Sequence, residues 1–235
     1  MLFLREKNLR FKQPQARSIL HLYVARATRA LNMFTIAIKM IQRGQIDEKY
    51  PRISALLTLE KTGIYRELVQ EGDVSDATTR THIETFKRHV QKIESAYRDK
   101  FDSYDYWSSL GYYHELQGDL RKAKQIYLFA LNGPKMTPRE RLKLGESIFD
   151  IYEQIPDKEK GLHALKVLLQ IHDEYRDELN MPVFRAKTLW RRVELCIDLK
   201  KWPNTVKAIK EYLQESQSLM SSQQTELFRT KDKRR

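Results

Sequence analysis

The residues of this sequence best suited to metal binding or nucleophilic chemistry are His82, His89 and the single cysteine, Cys196. The two histidines are seven residues apart, so on a helix they share a face but lie about 10 Å from each other, too far to hold one metal ion. Cys196 has no Cys or His at ligand spacing and lies in an aliphatic stretch, which is typical of a buried structural thiol. We therefore predict solvated or core histidines, a buried thiol and no metal site.

Catalytic motifs are also missing from the rest of the sequence. It contains no HExxH, GxSxG, P-loop or GxGxxG pattern, and its carboxylates are scattered beside Lys and Arg at the spacing of ordinary helical ion pairs. One cysteine excludes a disulfide framework and a multi-cysteine zinc site. These features predict a protein that is not an enzyme and that needs no cofactor.

Positive charge is concentrated at the two ends of the chain. The net charge is +12; residues 1–50 carry ten Lys or Arg against three Asp or Glu, and residues 201–235 carry eight against four. Basic segments attract the phosphates of nucleic acid, acidic lipid headgroups or acidic proteins. The candidate basic face consists of the cations that fall off the apolar stripe of the first predicted helix: Arg17, Arg26, Arg29, Lys39 and Arg43.

The composition indicates that helices position these residues. Hydrophobic residues make up 41% of the chain, but Gly (8) and Pro (7) are too scarce for the many turns of a sandwich or barrel. No apolar run approaches the roughly 18 residues of a membrane span. Apolar residues at i, i+3, i+4 and i+7 predict one long helix over residues 14–43 and a second from Pro51 to a stop at Gly72, with Gly63 as a candidate break.

Helix-start signals divide the rest of the chain into further helices. The segment from Thr137 to Glu140 has the form of a capping box, with Thr at the cap, Pro at the first helical position and Glu three residues after the cap. Other candidate starts are Ser75 or Asp76, Asp102 or Ser103, Pro156, Pro182 and Pro203. The sequence thus predicts an all-α fold of about eight or nine helices.

A series of large and small residues follows the fourth predicted start. Its members are Trp107, Leu110-Gly111, Gly118-Asp119, Ala123, Tyr127, Ala130 and Pro134. This series resembles the tetratricopeptide repeat, a 34-residue helix–turn–helix unit. Two positions depart from the family pattern, because His114 stands where the family has Tyr and Pro134 arrives one residue early.

Weaker copies of the pattern follow. Leu144-Gly145 lies 34 residues after Leu110-Gly111, and Trp190 lies 83 residues after Trp107. The second apolar face of the last pair is predicted to consist of Val206, Ile209 and Leu213. The resemblance is best over residues 104–137 and weaker over residues 138–215.

The resemblance implies a helical-hairpin array, a right-handed solenoid whose concave groove holds a peptide or helix of another protein. We predict a basic N-terminal helical region over residues 1–100 that includes possible degenerate repeats, tetratricopeptide-like repeats over residues 101–218, and a basic C-terminal tail over residues 219–235. The family's Lys, Arg and Asn clamp for a C-terminal carboxylate is incomplete here. The predicted groove residues are Tyr112, Arg139, Lys143, Arg191 and Arg192.

These features predict a non-enzymatic adaptor, scaffold or assembly factor with a protein partner. One alternative is a nucleic-acid-associated protein that uses the basic N-terminal helix and the C-terminal tail; another is a subunit of a secretion or membrane-associated complex. Residues 1–45 have the basic composition of an organellar presequence, but Ser is scarce there and the apolar pattern continues into the long predicted helix. We expect a cytoplasmic protein, with organellar import as the alternative.

Overall fold

The described part of the chain folds into helices, as predicted, but the structure corrects the first predicted helix and the predicted break at Gly63. The computed structural model describes residues 14–44, 50–73, 75–97, 101–133, 135–154, 157–179 and 181–232, with backbone alone over 222–232. The sequence features at residues 1–13, Pro134, Pro156 and residues 233–235 lie outside the described residues.

The described residues form eleven helices and no strand, a helix count slightly above the predicted eight or nine. The helices are α1 (Pro14–Ala30), α2 (Phe34–Gly44), α3 (Pro51–Glu71), α4 (Ala77–Tyr97), α5 (Tyr104–Leu116), α6 (Leu120–Leu131), α7 (Pro138–Gln154), α8 (Lys158–Glu174), α9 (Arg176–Leu179), α10 (Pro182–Asp198) and α11 (Trp202–Asp232). The chain divides into two compact units, residues 1–119 and residues 120–235. The predicted boundaries at residues 100 and 218 stay predictions.

The long helix predicted over residues 14–43 is wrong, because the chain turns between α1 and α2. Asn32 has φ 56°, in the left-handed region that Asn tolerates better than most residues. The amides of Asn32 and Met33 donate to the carbonyls of Arg29 and Thr28, both at 2.8 Å, and so close the end of α1. The two short helices pack against each other and supply Leu22, Ala25, Phe34, Ala37 and Ile41 to a core shared with Leu57 and Ile64 of α3.

The predicted start signals form caps at several helices. In the capping box the Thr137 amide donates to Glu140 Oε2 at 2.8 Å, and the Glu140 amide donates to Thr137 Oγ1 at 3.4 Å. Asp76 Oδ2 accepts from the Thr79 amide at 3.2 Å at the start of α4. Ser103 precedes α5 but makes no side-chain cap bond. The structure therefore confirms the predicted starts of α4 and α7.

The second unit is an array of helical hairpins. Helix α7 pairs with α8 and α10 pairs with α11, while α6 and α8 each also pack against the first helix of the following pair. Helices α7 and α10 both start at proline, 44 residues apart, and α8 and α11 also start 44 residues apart. At Gly145 a Cβ atom would lie 2.5 Å from Leu168 Cδ2, so the small residue lets α7 and α8 approach.

Candidate functional site

The first helices of the two later hairpins present a continuous charged surface in the second unit. On α7 the residues Arg139, Lys143, Glu146 and Asp150 follow helical spacing along one face. On α10 Lys187 and Arg191 are four residues apart on the neighbouring face. We name this set of six residues the first-helix face.

Arg191 joins the two helices of this face. Its Nη1 lies 3.9 Å from Asp150 Oδ1, and its guanidinium carbon lies 5.1 Å from the centroid of the Phe149 ring, a cation–π contact. The Arg191 side chain is still 44% exposed. An arginine stacked on a buried ring is held in place while it keeps hydrogen-bonding capacity for a ligand.

Glu146 lies among the charges of the first-helix face. Burial raises the pKa of Glu146 above its usual range, and the neighbouring Asp150 carboxylate adds to this effect. The cations of Arg191, Lys143 and Lys187 oppose the rise. The carboxyl group is therefore surrounded by cations from both helices.

Three of the five predicted groove residues lie on this face. Arg139 and Lys143 are exposed on α7, and Arg191 is exposed on α10. Sequence reasoning missed Glu146, Asp150 and Lys187, although their i, i+4 and i+7 spacing from Arg139, Lys143 and Arg191 was a usable signal.

The other two predicted groove residues are placed elsewhere. Arg192 points away from Arg191, since adjacent residues of a helix face different directions, and its Nη1 donates to Glu211 Oε2 of α11 at 2.6 Å. Arg192 is therefore not part of the first-helix face, and its place in a groove stays a prediction. Tyr112 belongs to the first unit, where its ring centroid lies 5.7 Å from that of Phe86 and burial raises the pKa of its phenol.

The predicted basic face is corrected at Arg29. Arg17, Lys39 and Arg43 are exposed. Arg26 is about half exposed, and its Nε donates to Glu60 Oε2 at 3.1 Å. Arg29 is only 11% exposed, because its side chain turns inward to carboxylates that lie outside its own helix. The five residues do not form one exposed cationic surface.

Arg29 binds three carboxylates of the first unit. Its Nη1 lies 3.1 Å from Glu60 Oε1, and its Nη2 lies 2.6 Å from Glu67 Oε1 and 3.0 Å from Asp105 Oδ1. Arg66 joins the same cluster, because its Nη2 lies 3.7 Å from Glu67 Oε1 and 3.6 Å from Asp105 Oδ1. We name these residues the Arg29 cluster; it links α1, α3 and α5.

The charges of the Arg29 cluster stabilise one another. Burial disfavours the charged form of Arg29, but the hydrogen bond to Glu67 and the charges of Asp105, Glu67 and Glu60 outweigh it, so the pKa of Arg29 is raised. For Asp105, burial alone would raise the pKa, yet the guanidinium groups of Arg29 and Arg66 bring the pKa below its usual value. Arg29 and Asp105 are therefore both charged at neutral pH.

The two candidate histidines flank one tyrosine ring between α3 and α4. The Tyr65 ring centroid lies 5.7 Å from that of His82 and 5.8 Å from that of His89. Among the described residues no group of three or more His, Cys, Asp or Glu could hold a metal ion. Burial, together with the nearby charges of Lys61, Lys92 and Arg88, lowers the pKa of His89 to about 4.

This pKa predicts an acid-dependent loss of stability. His89 is neutral when folded and regains a pKa of about 6.5 when unfolded, so its neutral packing contributes fully above pH 6.5 and is lost as the pH falls to about 4. We expect His89→Gln to reduce the decline in the free energy of unfolding between pH 7 and pH 4 by about 1 to 2 kcal/mol, allowing for partial exposure. Urea unfolding at several pH values measures this decline, with His82→Gln as the matched control; equal declines in wild type and His89→Gln would contradict it.

Three side chains named above are buried or half-buried. Cys196 is fully buried in α10, as predicted for a structural thiol. Tyr127 is also buried, whereas Trp107 is half-buried, packs edge-on against Tyr106 and donates from Nε1 to Asp102 Oδ1 at 3.1 Å.

Within the described ranges, no helix has the length and hydropathy required to cross a membrane.

Comparison with known proteins supports the fold. No protein-family model matches the chain, and no curated protein sequence matches it. Among solved structures, the chain is similar to a Signal Transduction ATPase with Numerous Domains (STAND) protein with a tetratricopeptide repeat sensor from Pyrococcus horikoshii, with a TM-score of 0.58 and 14% sequence identity. The match covers 88% of this chain but 30% of the archaeal chain. The protein therefore has an all-α, tetratricopeptide-like helical repeat fold.

Proposed function

We propose that this protein is a non-enzymatic adaptor, scaffold or assembly factor, and that its first-helix face binds an extended or helical segment of a partner protein. The observation that supports this most strongly is the placement of Arg191, which is stacked on Phe149 and reaches Asp150 while remaining exposed. The fold adds support, because tetratricopeptide-like helical arrays serve as interaction surfaces. The tetratricopeptide repeats of the archaeal protein form a sensor.

The charges of the first-helix face favour a partner segment that carries carboxylates. Arg139, Lys143, Lys187 and Arg191 are exposed, while Asp150 is the one exposed carboxylate of this face and Glu146 is partly buried among the cations. Arginine forms paired hydrogen bonds with carboxylates, so Arg191 is the residue we expect to orient the segment.

Site-specific photocrosslinking tests the proposal. A photocrosslinking residue at Lys143 should capture a protein partner from the native source, and the capture should survive nuclease. The same residue at His163, exposed on α8, is the matched control and should not capture this partner. Charge reversal of both Lys187 and Arg191 to Glu should remove the crosslink. Equal capture from both positions, or capture lost with nuclease, would contradict the proposal.

The alternative of nucleic-acid binding through the basic ends stays a prediction of the sequence. The Arg29 guanidinium is bound to carboxylates and Arg26 contacts Glu60, so these two cations do not support it. Residues 1–13 and 233–235 lie outside the described residues. Binding to phosphates would weaken steeply as the salt concentration rises, which distinguishes this alternative in a titration with single-stranded RNA. The membrane-complex alternative and the cytoplasmic location also stay predictions.

A further inference from the structure

One side of helix α11 packs against α10, and a second, apolar side is exposed. Thr205, Ala208 and Glu215 are buried on the side that contacts α10. The other side begins at Trp202 and is exposed by 37% to 66%: Trp202, Val206, Ile209, Leu213 and Met220. The spacing of four, three, four and seven residues keeps these side chains on one face over about 27 Å. We name this set the α11 stripe.

The equivalent positions of the preceding hairpin show what such a stripe is for. Helices α8 and α11 align with an offset of 44 residues, so Leu162, Leu165 and Leu169 of α8 correspond to the middle three residues of the α11 stripe. These three leucines are 2%, 0% and 7% exposed. Helix α8 packs against α10, the first helix of the next hairpin. By this alignment, the α11 stripe corresponds to a surface on which another helix packs.

The packing of α10 on α8 indicates the direction in which a helix would lie on the α11 stripe. Lys158 at the start of α8 bonds Asp198 at the end of α10 at 2.9 Å. Asp173 near the end of α8 bonds Arg185 near the start of α10, also at 2.9 Å. The two helices are therefore antiparallel. A helix seated on α11 by the same packing would run antiparallel to it.

The charges beside the stripe indicate the chemistry of the occupant. On α8, Glu159 and Asp173 pair with Lys201 and Arg185. The equivalent positions on α11 hold Pro203 and Gln217, so these carboxylates are replaced. The row of residues beside the stripe on α11 includes two lysines and no acid. Its members are Pro203, Lys207, Lys210, Gln214 and Gln217. The lysines beside the stripe favour binding of a helix with acidic flanks.

A second copy of the chain fits this flank poorly. In a two-fold symmetric contact the same patch meets itself, so the lysine-bearing flank would face the lysine-bearing flank. We propose that the α11 stripe binds an amphipathic α-helix of another protein that carries Glu or Asp beside an i, i+3, i+4, i+7 apolar face. This surface is distinct from the first-helix face.

Binding of designed peptides to the full chain tests the proposal. Two fluorescein-labelled helical peptides of about 18 residues carry Leu at the apolar positions and either Glu or Lys on the flanks. By fluorescence anisotropy, we expect the Glu peptide to bind at least about tenfold more tightly than the Lys peptide. Charge reversal of both Lys207 and Lys210 to Glu should reverse this preference.

Apolar variants and a control variant complete the test. Val206→Asp and Leu213→Asp should each weaken binding of the Glu peptide at least about tenfold, with an unchanged circular dichroism spectrum because both side chains are exposed. Arg52→Glu, a matching charge reversal at an exposed position of α3, should leave the affinity unchanged. Equal affinity for both peptides, or binding that Val206→Asp does not alter, would overturn the proposal. A dimer of the chain alone that Leu213→Asp dissociates in sedimentation would also overturn it, in favour of a second copy.

Discussion

Arg29→Ala is expected to lower the free energy of unfolding by about 3 to 5 kcal/mol, because it leaves the buried Glu60 and its neighbours without their shared cation. Glu60 is only 3% exposed and Glu67 is 29% exposed. A carboxylate in this setting has little water to replace a lost guanidinium. Urea unfolding followed by circular dichroism measures the loss, and hydrogen exchange should show faster opening of α1, α3 and α5.

Arg26→Ala is the matched control for this prediction. Arg26 is on the same helix and also contacts Glu60, but its side chain is 47% exposed, so its removal should cost no more than about 1 kcal/mol. Equal losses for the two variants would show that the carboxylates are not held by Arg29 in particular.

Acid should weaken the same cluster in wild type. Arg29 and Arg66 lower the pKa of Asp105, so its stabilising contribution is present above the unfolded pKa and is lost as the pH falls through the lower folded value.

The later hairpins show how far local sequence signals reach. Some features of the fold can be predicted from short stretches of sequence, because each acts within one helix turn or at one close contact. Examples are the capping box at Thr137, the proline at the start of α10 and the Leu144-Gly145 pair. The structure confirms these starts. Three residues of the exposed α11 stripe, Val206, Ile209 and Leu213, were predicted as an apolar face, but periodicity cannot tell whether such a face has a neighbour.

Arg29 shows where local signals end. Its position off the apolar stripe of α1 is compatible with solvent exposure, which is the usual setting of arginine. Its carboxylate partners are 31, 38 and 76 residues away in the chain, and no helical periodicity connects them. The first-helix face is intermediate: the spacing within α7 was readable, while the contact of Arg191 with α7 depends on how the two hairpins pack.

Gly63→Ala is expected to destabilise the protein by about 2 kcal/mol, although Ala is the better helix former by about 1 kcal/mol. Helix α3 runs unbroken through Gly63, so the predicted break is wrong. The requirement for glycine at this position therefore has another explanation. A Cβ atom at this position would lie 2.5 Å from Arg29 Nη1 and 2.7 Å from Arg29 Cζ. The glycine therefore leaves room for the guanidinium, and a methyl group would push it away from its carboxylates.

A double-mutant cycle with Arg29→Ala tests this explanation directly. Without the guanidinium the added methyl group has lost the three nearest atoms that it would strike. Gly63→Ala should then be neutral or stabilising by up to about 1 kcal/mol, which gives a coupling of about 2 to 3 kcal/mol between the two positions. Urea unfolding of the four proteins supplies the cycle. The same loss in both backgrounds would contradict the steric explanation.

Gly161→Ala separates this effect from a general response to alanine in helices. Gly161 lies in α8, where a Cβ atom would meet Leu195 Cδ1 at 3.5 Å, an ordinary van der Waals contact. The substitution should raise the free energy of unfolding by about 0.5 to 1 kcal/mol, the helix-propensity difference between the two residues. Changes of opposite sign in the free energy of unfolding for Gly63→Ala and Gly161→Ala would show that the Arg29 guanidinium, and not the backbone, requires glycine in the middle of α3.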